Sequence, residues 1–218
     1  STTQIAASYG IEQDNDLTLS DSRLSVSSNI QFGEAIGNSA TNRIALTATD
    51  AGAGIDPTAA ISNVQDGDTA TVSSTSRMTA YVNAAADNSS IALNNNTNTS
   101  LGVINNAANT LTVSANTLDG AASTASVATG TDTVTADYAL GNFQTAGGTL
   151  SSTATSTLFN SEKADTTTAG TSDSRVALNG NATTAEASAN RVANAVQISA
   201  LDNGATAALG NAQTSAAT

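Results

Sequence analysis

Neither histidine, cysteine nor tryptophan occurs in the 218 residues, which removes most of the side-chain chemistry that enzymes use. Without imidazole there is no histidine general base, and without thiolate there is no cysteine nucleophile, disulfide or thiolate metal site. Aromatics are 3% and charged residues 11%, where an ordinary globular domain carries about 25% charged. Six basic residues against 18 acidic ones give a net charge of −12, the wrong sign for nucleic-acid phosphates or an anionic membrane surface. No run approaches the roughly 18 apolar residues of a membrane span. There is a single proline, Pro57, set among Gly and Asp as turn chemistry requires.

Ala, Thr, Ser, Asn and Gly fill the deficit. Such a composition suits either disorder or a thin stacked repeat with a core of short side chains. An internal repeat favours the second. SRLSVSSNIQFGEAIGNSATNRIALTA (22–48), SSIALNNNTNTSLGVINNAANTLTVSA (89–115) and SRVALNGNATTAEASANRVANAVQISA (174–200) align without a gap. Asn recurs in three sets, Asn29/Asn96/Asn181, Asn38/Asn105/Asn190 and Asn42/Asn109/Asn194. Apolar residues recur as Leu24/Ile91/Val176, Ile44/Leu111/Val196 and Leu46/Val113/Ile198, each copy closing on Ala48, Ala115 or Ala200.

A second block follows each copy: Ile61-Ser62-Asn63-Val64-Gln65, Leu140-Gly141-Asn142-Phe143-Gln144 and Leu209-Gly210-Asn211-Ala212-Gln213. Tails beginning at Val72 and Leu150 come next, and the opening segment around Ile5 resembles them, since Ile5 precedes Leu24 by the same 19 residues that separate Val72 from Ile91. The chain therefore divides into a tail segment (1–20), repeat 1 (21–86), repeat 2 (87–172) and an incomplete repeat 3 (173–218), all within one domain. Successive repeats start 67 and 85 residues apart, and the extra length is expected in 116–139 and 154–172, both rich in Thr, Ala, Ser and Gly. A solenoid tolerates such insertions because they project sideways from the stacked strands. A chain opening on Ser rather than Met is expected where a signal peptide has been removed, or where the chain has been trimmed.

Apolar residues alternate with Ser, Ala or Thr at period two, the strand pattern. Residues 185–200 are Ala-rich enough to compete as a helix, yet their counterparts are rich in Thr and Asn, so all three are expected to be strands. The fold that follows is a parallel β-solenoid of three large imperfect rungs, with equivalent residues about 4.8 Å apart. Its core columns would be Leu24/Ile91/Val176 and Ile44/Leu111/Val196, and its Asn sets would form ladders, each carboxamide donating to one neighbour and accepting from the other. A narrower coil of about 20 residues is the competing geometry, suggested by the echo of Arg23-Leu24-Ser25-Val26 in Arg43-Ile44-Ala45-Leu46. Three rungs leave an unpaired strand edge at each end and no cap is evident, which points to stacking head to tail into a filament.

No catalytic, cofactor or metal site is expected, and the chain reads as a non-enzyme. The pairs Asp14/Asp16 and Asp66/Asp68 lack the rest of a Ca2+ loop and read as polar turns. Gly33–Gly37 and Gly52–Gly54 lack the Lys and the strand-to-helix setting of a phosphate loop and are expected to be turns. The Thr pairs Thr69/Thr71 and Thr131/Thr133 hint at an ice-binding array but do not share an offset between repeats.

The three Asn sets and the ISNVQ, LGNFQ and LGNAQ blocks, together about half the chain, resemble the repeat proteins of bacterial functional amyloids, above all Fap fibre subunits with their three imperfect Asn/Gln/Ala-rich repeats and unequal linkers. Holdfast-anchor proteins are similar in composition. The Cys pair of Fap subunits has no counterpart here. The resemblance implies an extracellular, cell-surface filament for attachment or biofilm matrix, with the chain itself as partner and an outer-membrane secretion or anchoring protein as a candidate second one. An adhesin stalk or ice-binding solenoid is the alternative. Because repeat 3 has no tail and the N-terminal tail has no repeat before it, residues 1–20 are expected to complete the neighbour's third rung, with Ile5, Leu209 and Gln213 at the subunit junction and Ile5 in the column of Val72 and Leu150.

Overall fold

The computed structural model describes residues 2–11, 18–51, 58–82, 85–121, 123–161 and 171–218, and every regular element within them is a β-strand. One strand, β1 (Thr2–Ile11), precedes repeat 1. The pairing of 18–20, 85–87 and 171–172 sets the repeat starts two or three residues ahead of 21, 87 and 173, so repeat 1 runs through β2 (Thr18–Ser20), β3 (Arg23–Ser27), β4 (Ile30–Thr47), β5 (Asp50–Ala51), β6 (Ala59–Asp66) and β7 (Thr71–Val82). Repeat 2 contains β8 (Ala85–Asp87), β9 (Ser90–Asn94), β10 (Thr97–Ser114), β11 (Thr117–Leu118), β12 (Ala125–Thr129), β13 (Asp132–Ala136), β14 (Tyr138–Ala146) and β15 (Thr149–Ser161). Repeat 3 contributes β16 (Thr171–Ser172), β17 (Arg175–Ala177), β18 (Ala182–Ser199), β19 (Asp202–Asn203) and β20 (Ala207–Ser215).

Five parallel sheets take one strand from each repeat, always with repeat 2 in the middle: β2-β8-β16, β3-β9-β17, β4-β10-β18, β5-β11-β19 and β6-β14-β20. A sixth, the tail sheet, is ordered β1-β7-β15. Pairing follows the repeat throughout, with Asn105 beside Asn38 and Asn190, and Ile91 beside Leu24 and Val176. A coil of about 20 residues is thereby excluded, since β3 and β4, which carry the Arg-Leu-Ser-Val echo, lie in different sheets. Corners recur with the strands. Asp21, Asn88 and Asp173 share one left-handed corner, and Ser28, Asn95 and Gly180 the next, with φ between 46° and 65°. Five of these six positions hold Asn, Asp or Gly, the residues that visit this region at least cost.

The long strand of each repeat faces two sheets in turn. In β10, Asn98, Ser100 and Gly102 are buried toward the tail sheet, residues 103–105 are all buried where the side-chain alternation switches, and Ala107, Asn109, Leu111 and Val113 are buried on the β14 side. The first half packs through hydroxyls and amides: Ser100 Oγ donates to Ser74 Oγ at 2.8 Å, and Asn98 Nδ2 to the Thr155 carbonyl at 2.8 Å. The second half is apolar, where Leu111, Leu118, Tyr138 and Leu140 meet in the largest buried cluster. Short side chains thus serve as core because the facing sheets lie close, and Gly102 sits where a Cβ would come within 3.1 Å of both Leu150 and the Ser151 carbonyl.

The insertion expected at 116–139 is real but shorter. Residues 117–118 remain in sheet beside 50–51 and 202–203, and Tyr138 and Ala139 are already in β14. Between them β12 and β13 form an antiparallel hairpin over the outer face of the β6-β14-β20 sheet. This explains the small residue of the second block: a Cβ on Gly141 or Gly210 would come within 2.9 Å of Val127 or 2.7 Å of Thr129, both on the hairpin. The insertion at 154–172 also begins later, because β15 stays paired with β7 through Ser161; residues 162–170 lie outside the described residues. Buried Asp137 fastens the hairpin's base, accepting from Thr206 N at 2.7 Å, Thr206 Oγ1 at 2.9 Å and Ala121 N at 3.2 Å.

Next to it Tyr138 is fully buried and its hydroxyl has no hydrogen-bond partner among the described residues. Burial, and secondarily the Asp137 charge, pushes the phenol's pKa above its usual value. A buried hydroxyl without a partner costs roughly 1–3 kcal/mol. Tyr138→Phe is therefore expected to stabilise the protein by about 1 kcal/mol, raising Tm by roughly 2–4 °C. A lower Tm in thermal denaturation would show that the hydroxyl is satisfied in solution.

Candidate assembly interface

The middle repeat shows how each column is packed when covered on both sides, and the outer repeats show the same columns cut open. Leu140 is 0% exposed, while Leu209 above it is 46% exposed. Asn105, Asn109 and Leu111 are fully buried in repeat 2, whereas their partners Asn38, Asn42 and Ile44 in β4, and Asn190, Asn194 and Val196 in β18, are only partly so. Leu46 on β4 and Leu178 just past β17 are exposed, whereas Val113 and Leu93 at the same repeat positions are buried. Ile30, Phe32 and Leu201 are exposed too, beside Thr97, Thr99 and Asn116 and outside those columns. A cleft of about 450 Å3 lies between β4 and β6, lined by Thr41, Asn42, Ile44, Ile61 and Ser62. Both β4 and β18 are 18 residues long, and among the described residues each has a strand partner on one side only, β10. Edges of this length are what natural sheets normally shorten, bulge or cover.

The three expected Asn ladders are continuous. Asn38 Nδ2 donates to Asn105 Oδ1 at 2.8 Å and Asn105 Nδ2 to Asn190 Oδ1 at 2.8 Å. Asn42, Asn109 and Asn194 are linked in the same way at 2.8 Å per step, and Asn29, Asn96 and Asn181 at 2.9 and 3.0 Å. Each amide's other proton has a fixed destination: Asn38, Asn105 and Asn190 donate to the carbonyls of Asp66, Thr145 and Thr214. A fourth ladder, Asn63 to Asn142 to Asn211 at 2.6 and 2.7 Å, runs beside the Asn42 ladder and accepts from it. Sequence reasoning singled out its block without recognising its Asn as a ladder; the invariant Asn within ISNVQ, LGNFQ and LGNAQ was the available signal. The Gln of that block makes a fifth ladder running the other way: Gln213 Nε2 donates to Gln144 Oε1 at 2.6 Å, and Gln144 Nε2 to Gln65 Oε1 at 2.5 Å.

Of the expected junction residues, Leu209 and Gln213 lie on β20 at the repeat 3 edge and Ile5 on β1 at the opposite edge of the tail sheet, so one chain does not bring them together. The expected register of Ile5 needs correction. Ile5 stands beside Ser76, not in the column of Val72 and Leu150, because Thr2 pairs with Ser73. The cause is the connection to the following strand: six residues separate β1 from β2 and two separate β7 from β8, a difference of four that moves Ile5 four places along.

Three strand columns carry like charges in repeats 1 and 3 and none in repeat 2, Glu34/Leu101/Glu186, Arg23/Ser90/Arg175 and Asp50/Thr117/Asp202, and the corner column Asp21/Asn88/Asp173 repeats the pattern. The Asp66 carboxylate accepts from Asp68 N at 3.0 Å and Thr145 Oγ1 at 3.1 Å, which is turn geometry. Asp14, Asp16, Pro57 and Gly52–Gly54 lie outside the described residues, and Gly33–Gly37, expected as a turn, instead lies within β4, where its glycines allow close approach to the Thr75 and Ile104 carbonyls. Among the described residues no three acidic groups converge as a metal site would require. Thr131 and Thr133 belong to the hairpin and its turn, whereas Thr71 lies beside Thr149 in the tail sheet, so the two Thr pairs do not form one array. No helix is long and apolar enough to cross a membrane among the described residues. The chain matches no family model, no curated protein and no solved structure.

Proposed function

We propose that this chain is the structural subunit of a secreted extracellular filament for surface attachment or biofilm matrix. Each repeat is one rung of a parallel β-solenoid, and copies stack head to tail, with β1 of one copy completing the third rung of its neighbour. The observation that carries this reading is the contrast between repeat 2 and its outer copies. Columns that are dry in the middle end in exposed apolar side chains at both faces, and both faces present an 18-residue strand with one free edge. A second copy supplies for repeats 1 and 3 what repeat 2 already has.

The tail sheet supports the same arrangement. Thr218 N donates to the Gly148 carbonyl at 3.1 Å and Leu150 N to the Thr218 carbonyl at 2.9 Å, which sets Thr218 beside Thr149. Thr2 pairs with Ser73, and Ser73 with Ser151. A second copy's β1 laid on the free edge of β15 in that register places its Thr2 beside Ser151, two positions past Thr218.

Stacking also sets Glu186 beside a neighbour's Glu34, Arg175 beside Arg23 and Asp202 beside Asp50. Exposed like-charge pairs of this kind cost roughly 0.2–1 kcal/mol each and are screened beyond about 10 Å at 0.1 M salt. They slow growth without reversing it, because the apolar columns and strand edges outweigh them. Purified protein imaged by electron microscopy is expected to show unbranched filaments that form several-fold faster at 0.5 M than at 0.02 M NaCl. Monomers at every salt concentration would refute the proposal.

A further inference from the structure

The ladders have a direction, and their cut ends are complementary. Four Asn ladders donate from repeat 1 toward repeat 3, so among the described residues the Oδ1 acceptors of Asn29, Asn38, Asn42 and Asn63 on the repeat 1 face have no ladder donor below them. Asn63 Oδ1 holds only the sideways bond from Asn42, where Asn142 Oδ1 accepts from both Asn63 and Asn109. The repeat 3 face ends in the amides of Asn181, Asn190, Asn194 and Asn211, none of which has a further carboxamide above it to receive its outward proton. The Gln ladder donates the opposite way, leaving the Oε1 acceptor of Gln213 on repeat 3 and Gln65 as the donor at the repeat 1 end. Gln65 and Gln144 also donate upward to the carbonyls of Asn106 and Arg191 in the next repeat. Gln213 is one level short of the same bond, and Ser39, the counterpart of Asn106 in repeat 1, would supply it from a second copy.

We infer that these five half-bonded ladders make the two faces a polar lock, which admits a second copy in one orientation and one register: repeat 3 of one chain on repeat 1 of the next, strands parallel, with Asn194 donating to Asn42 and Asn190 to Asn38. The inference rests on the filament reading and adds the docking geometry. Repeat 3 set against repeat 3 opposes amide donors to amide donors. A shift by two residues along β4 keeps the inward face of every side chain but takes each Asn away from its partner and leaves polar groups unpaired in a closed column, at roughly 1–3 kcal/mol each. Apolar stacking alone would tolerate that shift. The carboxamides do not.

Because the chain has no cysteine, disulfide trapping reads this geometry directly. Thr47 and Ser199 are exposed, both register with Ser114, and lie two strands apart within one chain, about 9.6 Å on the 4.8 Å spacing and too far to bridge. Across the inferred junction they become neighbours at about 4.8 Å, within disulfide range. Filaments of the double variant Thr47→Cys/Ser199→Cys, oxidised and run under denaturing non-reducing conditions, are expected to give a ladder of covalent multimers. Filaments of Ser199→Cys alone, Thr47→Cys alone and Ala45→Cys/Ser199→Cys are expected to stay at least ten-fold less linked. Self-linking of Ser199→Cys, equal linking through position 45, or filaments of the Thr47/Ser199 variant that do not link would each overturn the lock while leaving the filament itself standing. Failure of the unsubstituted chain to form filaments overturns both.

Discussion

Asn109→Leu is expected to lower the melting temperature by roughly 6–12 °C and to suppress filament growth, while Asn116→Leu leaves both within error. Asn109 is fully buried and makes three carboxamide contacts: it accepts from Asn42 at 2.8 Å and donates to Asn194 at 2.8 Å and to Asn142 at 3.3 Å. Leucine fills similar space but can neither donate nor accept. It therefore leaves Asn194 Oδ1 without its donor and Asn42 Nδ2 with only the Asn63 bond. Unsatisfied buried polar groups cost roughly 1–3 kcal/mol each, so two damaged partners amount to about 3 kcal/mol. In a filament the break would recur in every subunit. Asn116 lies seven residues along the same chain with an exposed side chain, and its pairing is through the backbone, to Thr49, Leu201 and Asp202. Thermal denaturation and sedimentation of the two variants side by side decide the matter, and equal melting and equal assembly would mean that the Asn columns are incidental to the stack.

The ladders were legible before the structure because gapless repetition is itself a register. Where three copies align without insertion, as from Leu24 to Ala48, parallel pairing of like with like follows, and Asn, Leu, Ile and Val at fixed offsets must stack on themselves. The same logic failed wherever repetition stopped. The hairpin of β12 and β13 has no counterpart in repeats 1 and 3, so nothing in Ala125 to Ala136 announced an antiparallel pair except Thr-Gly-Thr-Asp at its turn. Ile5 was misplaced because its spacing to Leu24 was counted through residues 12–17, where the connection is four residues longer than its equivalent. Ladder direction was invisible for a different reason. Recurrence of Asn specifies a column, but which way its amides point is set by neighbours from other sheets, such as the Asp66, Thr145 and Thr214 carbonyls, that no linear pattern brings together.

Removing Ser1 to Asp16 tests the seat of β1, and its effect on growth is expected to be larger than its effect on folding. Among the described residues β1 pairs only with β7, over ten residues from Thr2 with Ser73 to Ile11 with Val82. Its loss converts β7 into an edge and uncovers the part of β4 that packs against β1, but leaves β10, β14 and their columns in place, so circular dichroism should keep its β signature. At a junction the same strand is the only partner available to the free edge of β15. A parallel pairing of ten residues contributes roughly 0.5–1.5 kcal/mol for each hydrogen bond, several kcal/mol in all. Even 3 kcal/mol of that corresponds to about a hundred-fold in affinity. The truncated protein is thus expected to need about a hundred-fold higher concentration to grow and to stop at monomers or short oligomers under conditions where the full chain forms micrometre filaments. A free peptide of residues 2–11 should conversely cap full-length filaments by occupying β15. Growth of the truncated protein at an unchanged critical concentration would place the junction in the β4 and β18 edges alone, with β1 no more than a cover for its own β7.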